Sequence, residues 1–254
     1  MLLYQEENFV ATITFNRPEI HNAFNEEFIF ELTRLFLKIN KNKKLRLVVI
    51  KALGDSFCAG ADLEWMKKMK HYTTRQNLKD AKNLQKMFLS LDACPIPVIA
   101  LVQGAAMGGG AGILCTCDYV LAKESAYFAF SEVRLGLIPA VISPFVVRKI
   151  GASYARATFL SGARFSTIDA LHMGLIHETV KSEEALDRLG GLIKEFLKAG
   201  PLASREAKKL LTQTLHNKNF WAQTCKDIAR LRVSEEAQEG MLSLLQKRKA
   251  TWQL

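Results

Sequence analysis

Val102-Gln103-Gly104-Ala105-Ala106-Met107-Gly108-Gly109-Gly110-Ala111-Gly112 follows the apolar run Ile96 to Val102 and carries five glycines. A strand leading into such a stretch lets another group approach the backbone closely, because little or no side chain stands in the way. If a helix starts near Gly109, its first N–H groups have no acceptor within the helix and point at whatever occupies that space. The segment therefore suits an anionic oxygen, or one that gains charge during a reaction.

The flanking sequence places this segment in an α/β chain. Phe9 to Phe15 alternates as a strand and ends at Asn16-Arg17-Pro18. Asn25-Glu26-Glu27 starts a helix with Phe28, Leu32, Leu35 and Ile39 on its apolar face. Leu45 to Ile50 reads as a buried strand, Gly54 to Asp62 as a loop, and Thr74 to Leu91 as a helix. Tyr119 to Ala122 and Tyr127 to Phe130 read as short strands. Ser143 is placed to cap a helix with Pro144 at its first position. Beyond Gly151 the pattern is mainly helical, with an apolar break at Leu175 to Val180. The expected division is a core over 1–195 and a helical region over 196–254.

An internal echo ties two parts together. Leu47-Val48-Val49-Ile50 leads to Cys58-Ala59-Gly60-Ala61, as Pro97-Val98-Ile99-Ala100 leads to Gly108-Gly109-Gly110. Side by side, two such units either aim two N–H groups at one point, an oxyanion hole, or merely let helices pack closely on a sheet.

Composition narrows the function. The chain of 254 residues is long enough for a substantial core, and no apolar run reaches the roughly 18 residues of a membrane span. Met1 to Glu7 has neither the basic start nor the apolar centre of a secretory leader. Five unpatterned cysteines, with Cys115 and Cys117 too close for ordinary zinc spacing, suit a reducing cytoplasm and give no metal site. The net charge is +10, and residues 196–254 hold 11 Lys/Arg against 5 Asp/Glu, or +6 of it. That excess serves nucleic acid, an anionic membrane surface or a phosphorylated ligand. No RNA- or DNA-reading motif is present, and aromatics do not interleave with the basic residues.

Phe57-Cys58-Ala59-Gly60-Ala61-Asp62-Leu63 and Gly104-Ala105-Ala106-Met107-Gly108-Gly109-Gly110 resemble the two signature loops of the crotonase (enoyl-CoA hydratase/isomerase) superfamily. The similarity extends to Asn16-Arg17-Pro18, Asn22-Ala23, Cys117-Asp118, Ser131 to Pro139, Ala170 to Leu175, Glu239-Gly240-Met241 and Lys247-Arg248. It implies a spiral of ββα turns with a C-terminal helical region, assembled as homotrimers or dimers of trimers. It also implies an acyl-CoA substrate with no separate cofactor, since the coenzyme is part of the substrate. The backbone N–H groups of Ala61 and Gly109 would hold the thioester oxygen. Ala61, Asp62, Leu63, Glu64, Gly109, Arg17, Ala23 and Lys247 would form the acyl-CoA site, Arg17 and Lys247 as cations for the coenzyme. Asp62 has a second reading as the cap of the next helix, and Asp118 reads as structural.

The resemblance also exposes a departure. Enoyl-CoA hydratases place one glutamate two residues after the glycine triplet and another in a later loop; here these positions are Gly112 and Glu132. Glu132 is thus the lone acid/base, unless it is a surface carboxylate paired with Arg134. One carboxylate is consistent with hydration or with isomerisation, and Glu64 is a poor substitute for the missing one. Cys58 to Met69 and Leu137 to Val147 resemble bacterial methylglutaconyl-CoA hydratases of leucine breakdown, with Lys67, Lys68 or Arg134 available for a distal carboxylate. In that comparison Val141-Ile142 either narrows the acyl pocket or packs in the core. Other readings are an isomerase, a catalytically weak acyl-CoA binder and, remotely, an RNA-binding protein using Lys67, Lys68, Lys70 and Arg75.

Overall fold

The computed structural model describes residues 1–216 and 221–253. β1 (Leu2–Glu7) and β2 (Val10–Phe15) form an antiparallel hairpin. Asn25 then caps α1 (Glu26–Ile39), its Oδ1 accepting the Phe28 N–H at 3.0 Å. Phe28, Leu32, Phe36 and Ile39 are buried on one face, at the spacing an amphipathic helix requires.

Three successive turns of the chain each lay one strand in a large sheet and the next in a small one. The first turn is β3 (Leu47–Ala52), β4 (Ser56–Cys58) and the short helix α2 (Leu63–Met69), followed by α3 (Thr74–Asp92). The second is β5 (Val98–Val102), β6 (Ala105–Met107) and α4 (Gly109–Cys115). The third is β7 (Tyr119–Lys123), β8 (Tyr127–Ala129) and a 3-10 turn over Glu132–Leu135. There follow α5 (Ser143–Ser161), β9 (Phe165–Ser166), α6 (Thr167–His172), β10 (Glu178–Val180), α7 (Ala185–Leu197), α8 (Pro201–His216), α9 (Trp221–Arg232) and α10 (Glu235–Leu245). The large sheet runs β1-β2-β3-β5-β7-β10 and the small one β4-β6-β8-β9. All neighbours are parallel except β1 with β2 and β8 with β9. This is an α/β spiral of ββα turns with a helical C-terminal bundle.

The continuous apolar run Val98–Val102 is buried throughout, as a central strand covered on both faces demands. The repeated units do lie side by side. Val48 pairs with Val98 in the large sheet, and Cys58 with Ala106 in the small one.

Several expectations shift. The loop over 54–62 contains β4 and the glycine stretch contains β6; three-residue strands are too short to show a period. Ser143 does not cap α5. Ile142 holds the cap position, and the Ser143 hydroxyl donates to the Ala140 carbonyl at 2.9 Å instead. At Gly151 the helix breaks, with φ at +75°. The expected 196–254 region includes 217–220 and 254, which lie outside the described residues. No helix among the described residues is long and apolar enough to cross a membrane.

Basic side chains hold the C-terminal region to the core. Arg46 donates to the carbonyls of Leu197, Ala199 and Trp252, and Arg205 to those of Asn42, Lys43 and Leu45. Lys208 reaches Ile96 O and Asp118, whose Oδ2 also accepts the Val98 N–H at 2.7 Å. Asp118 is a clamp between β5 and α8.

Asn22 fastens the turn after β2 to the approach to β4. Fully buried and at φ +55°, it donates from Nδ2 to Leu53 O and Ser56 O and accepts the Arg17 N–H, each at 2.8 Å. Replacement by a leucine of similar size removes all three bonds and leaves Leu53 O and the Arg17 N–H without this partner, while Ser56 O keeps Gln103 Nε2 at 2.9 Å. Asn22→Leu is expected to lower stability by about 2–4 kcal/mol in urea unfolding. A cost within experimental error would show that these bonds do not hold the turn.

Candidate active site

The site begins where β4 meets the segment after Asn22. The Phe24 N–H donates to Gly60 O at 2.9 Å, and the Asp62 N–H to Phe24 O at 3.0 Å. Phe24 thus bridges in parallel with Ala61 by bonding its two neighbours. In that pattern Ala61's own N–H turns to the other side. Among the described residues it has no acceptor.

The second N–H comes from α4. Gly108 precedes the helix at φ +51° and donates to Ala129 O, while the helix closes from Gly112 N–H to Gly108 O. The Gly109 N–H, in the first turn, has no acceptor among the described residues. Phe24 also fixes this residue, because a Cβ on Gly109 would lie 2.4 Å from the ring's Cζ. One phenylalanine therefore holds Ala61 through its backbone and Gly109 through its ring.

Glu132 lies against the same loop. A Cβ on Gly108 would be 3.1 Å from Glu132 Oε1. The other oxygen, Oε2, is buried and has no hydrogen-bond partner among the described residues. Burial raises the pKa of this carboxyl, and its own backbone N–H opposes the shift only in part. Arg134 does not pair with it; the Arg134 Nε donates to Ser161 O at 3.3 Å. The surface ion-pair reading of Glu132 is thereby corrected.

Asp62 behaves oppositely. Burial pushes its pKa up, but the Glu64 N–H at 2.8 Å and the Arg17 guanidinium at 3.0 Å outweigh that, and the carboxyl titrates below its usual range. It caps α2. Arg17 is no free surface cation: its Nη1 donates to Ala23 O at 2.7 Å while Nη2 holds Asp62, so it positions the Ala61 loop. Leu63 and Glu64 face outward, Glu64 paired with Lys67 at 2.6 Å. Lys247, exposed after α10 at φ +53°, is not joined to this cluster by any contact among the described residues.

Arg17, Ala23, Ala61, Asp62, Gly109 and Glu132 are thus brought together. Two members were not anticipated. Phe24 directly follows the Asn22-Ala23 pair, yet only tertiary contact reveals its role. Trp65 packs 6.0 Å from Phe24, ring centre to centre, with a buried Nε1–H that has no acceptor among the described residues. Thiol chemistry has no purchase here: burial pushes Cys58, Cys115 and Cys117 up to about 12. Among the described residues no three His, Cys, Asp or Glu side chains are arranged to hold a metal.

The whole chain has known relatives. Residues 5–254 match the enoyl-CoA hydratase/isomerase family. The crystal structure of an enoyl-CoA hydratase from Shewanella pealeana is 38% identical, with a TM-score of 0.93 over 99% of this chain and 95% of that one. That of an enoyl-CoA hydratase/isomerase from Marinobacter aquaeolei is 31% identical, with a TM-score of 0.94 over 100% and 99%. A crotonyl-CoA hydratase from Syntrophomonas wolfei is 28% identical over 99% of this chain and 97% of its own.

The raised Glu132 pKa has a consequence for stability. In acid, folded and unfolded chains both carry its proton. As pH rises, the unfolded chain releases it first, and stability falls until the folded value is passed. Glu132→Gln removes that loss. The variant is expected to outlast wild type in urea at about pH 7, with the gap closing towards about pH 4. A gap independent of pH would mean that the carboxyl is not perturbed.

Proposed function

Since the chain belongs to the enoyl-CoA hydratase/isomerase family, we propose that it hydrates the α,β double bond of an acyl-CoA thioester, with Glu132 as its single acid/base. The buried Glu132 Oε2, beside a loop presenting an N–H, both without a partner among the described residues, carries this reading. Glu132 takes a proton from water as the oxygen attacks the β-carbon. Charge moves to the thioester oxygen, where Ala61 and Gly109 N–H donate. The enolate then collapses as Glu132 returns the proton to the α-carbon, so one water is added and the carboxylate is restored. Donors placed for the charged intermediate stabilise it more than the neutral thioester, by about 3–4 kcal/mol each in favourable cases. A carboxyl raised by burial is matched to both halves of the cycle.

The similarity of 58–69 and 137–147 to methylglutaconyl-CoA hydratases supports 3-methylglutaconyl-CoA as the substrate. Of the three cations considered for its distal carboxylate, Lys67 pairs with Glu64 and Arg134 donates to the Ser161 carbonyl, while the Lys68 ammonium has no partner among the described residues. Ala23, Asp62, Leu63 and Glu64 complete the acyl-CoA site in this reading, and Lys247 serves the phosphates. Leu244 and Leu245, 78% and 81% exposed on the C-terminal region, support burial against further subunits of a trimer or dimer of trimers.

The same lone carboxylate also suits isomerisation, in which it moves a proton between the α- and γ-carbons without adding water. Mass analysis of the product in ¹⁸O-water separates the two. Crotonyl-, 3-methylcrotonyl- and 3-methylglutaconyl-CoA are to be followed at the conjugated thioester absorbance. Label incorporation with loss of that absorbance is expected, as is a fall of about 10²–10⁴ in turnover for Glu132→Gln. Wild-type turnover in that variant overturns the assignment.

A further inference from the structure

The side chain facing Gly112 explains more than core packing. A Cβ at this position would lie 2.6 Å from Ile142 Cγ2, 3.1 Å from Ile142 Cβ and 3.2 Å from Phe88 Cε1. Gly112 stands one helical turn beyond Gly108, which lies against the Glu132 carboxylate. The space that a side chain at position 112 would need, one turn along α4 from Gly108, is therefore filled with hydrocarbon.

Ile142 has no easy way to withdraw. It is 3% exposed, and its carbonyl accepts the Phe145 and Val146 N–H groups at the start of α5. Its branched Cβ leaves few rotamers. Phe88 is fully buried and packs on Phe145 with ring centres 5.7 Å apart. The obstruction is a wall shared by α3 and α5, and no flexible side-chain end offers relief.

We propose that Ile142, backed by Phe88, keeps this a one-carboxylate site by occupying the volume that any side chain at position 112 would need. The claim that all proton traffic then passes through Glu132 rests on the hydration reading above. Ile142 acts by exclusion and is a positioning residue, not a catalytic one.

Two measurements test this. In thermal unfolding, Gly112→Ala is expected to lower Tm by about 5 °C through overpacking. In an Ile142→Gly background, which removes both Ile142 contacts, the same change is expected to cost clearly less, with only the Phe88 Cε1 contact at 3.2 Å remaining. An equal effect in both backgrounds overturns the proposal. In turnover of crotonyl-CoA, Gly112→Glu alone is expected to lose about tenfold or more in kcat/KM. Combined with Ile142→Gly, it is expected to recover and to add a second ionisation to the kcat/KM pH profile. A second ionisation in Gly112→Glu with Ile142 intact also overturns the proposal. The difference in Tm effect between the two backgrounds does not depend on activity, so a protein that shows it yet hydrates no enoyl-CoA loses the hydration reading while Ile142 keeps its role.

Discussion

Backbone N–H groups without acceptors are costly inside a protein, and most folds eliminate them. Around Ala61 and Gly109 the chain leaves two, and Phe24 is the contact through which both are held. Its backbone satisfies Gly60 and Asp62, so Ala61 remains outside the pairing. Its ring lies where a side chain at Gly109 would be, which fixes the opening of α4 against β4. The spiral supplies the larger frame, since β3 beside β5 and β4 beside β6 bring two equivalent strand-to-helix corners together. Arg17 and Asn22 then tie the Phe24 segment to those corners from the other side.

Two carboxylates near this frame show how surroundings assign roles. Asp62 is nearly buried, but a helix N–H and a guanidinium satisfy it, and it stays ionised as a structural link. Glu132 has comparable burial of its reactive oxygen with no such partner, and burial raises its proton affinity. The first arrangement stabilises the fold. The second destabilises it at neutral pH and leaves a lone pair available for chemistry.

Much of this was legible where the sequence signal is long or chemically distinctive. The apolar face of α1, the buried run of β5 and the glycine opening of α4 each follow from periodicity or backbone freedom. The resemblance picked out Glu132 and noted Gly112. What escaped was either too short or too distant in sequence. β4, β6 and β9 have two or three residues each, and their pairing depends on neighbours brought in by the spiral. Arg17 reads from sequence as a cation for the coenzyme, because its partners, Ala23 and Asp62, become neighbours only when the loops close. Ser143 had the chemistry of a cap, but the helix begins one residue earlier than a serine cap requires, with Ile142 drawn into the core.

That inward turn of Ile142 bears on the electrostatics of the whole site. A second carboxylate close to Glu132 would titrate jointly with it, and neither pKa would belong to one residue. With hydrocarbon beside Gly112, no neighbouring charge among the described residues contributes to the Glu132 shift; burial alone raises it. The proton affinity of the acid/base is then governed by how completely water is excluded. In the proposed hydration, substrate entry would displace water and raise that affinity further as the proton is taken up, and the enolate, with its oxygen at the Ala61 and Gly109 N–H groups, would take the proton back at its α-carbon. A one-carboxylate site thus depends on desolvation and on two fixed backbone donors, and the packing of Ile142 supports the first as Phe24 supports the second.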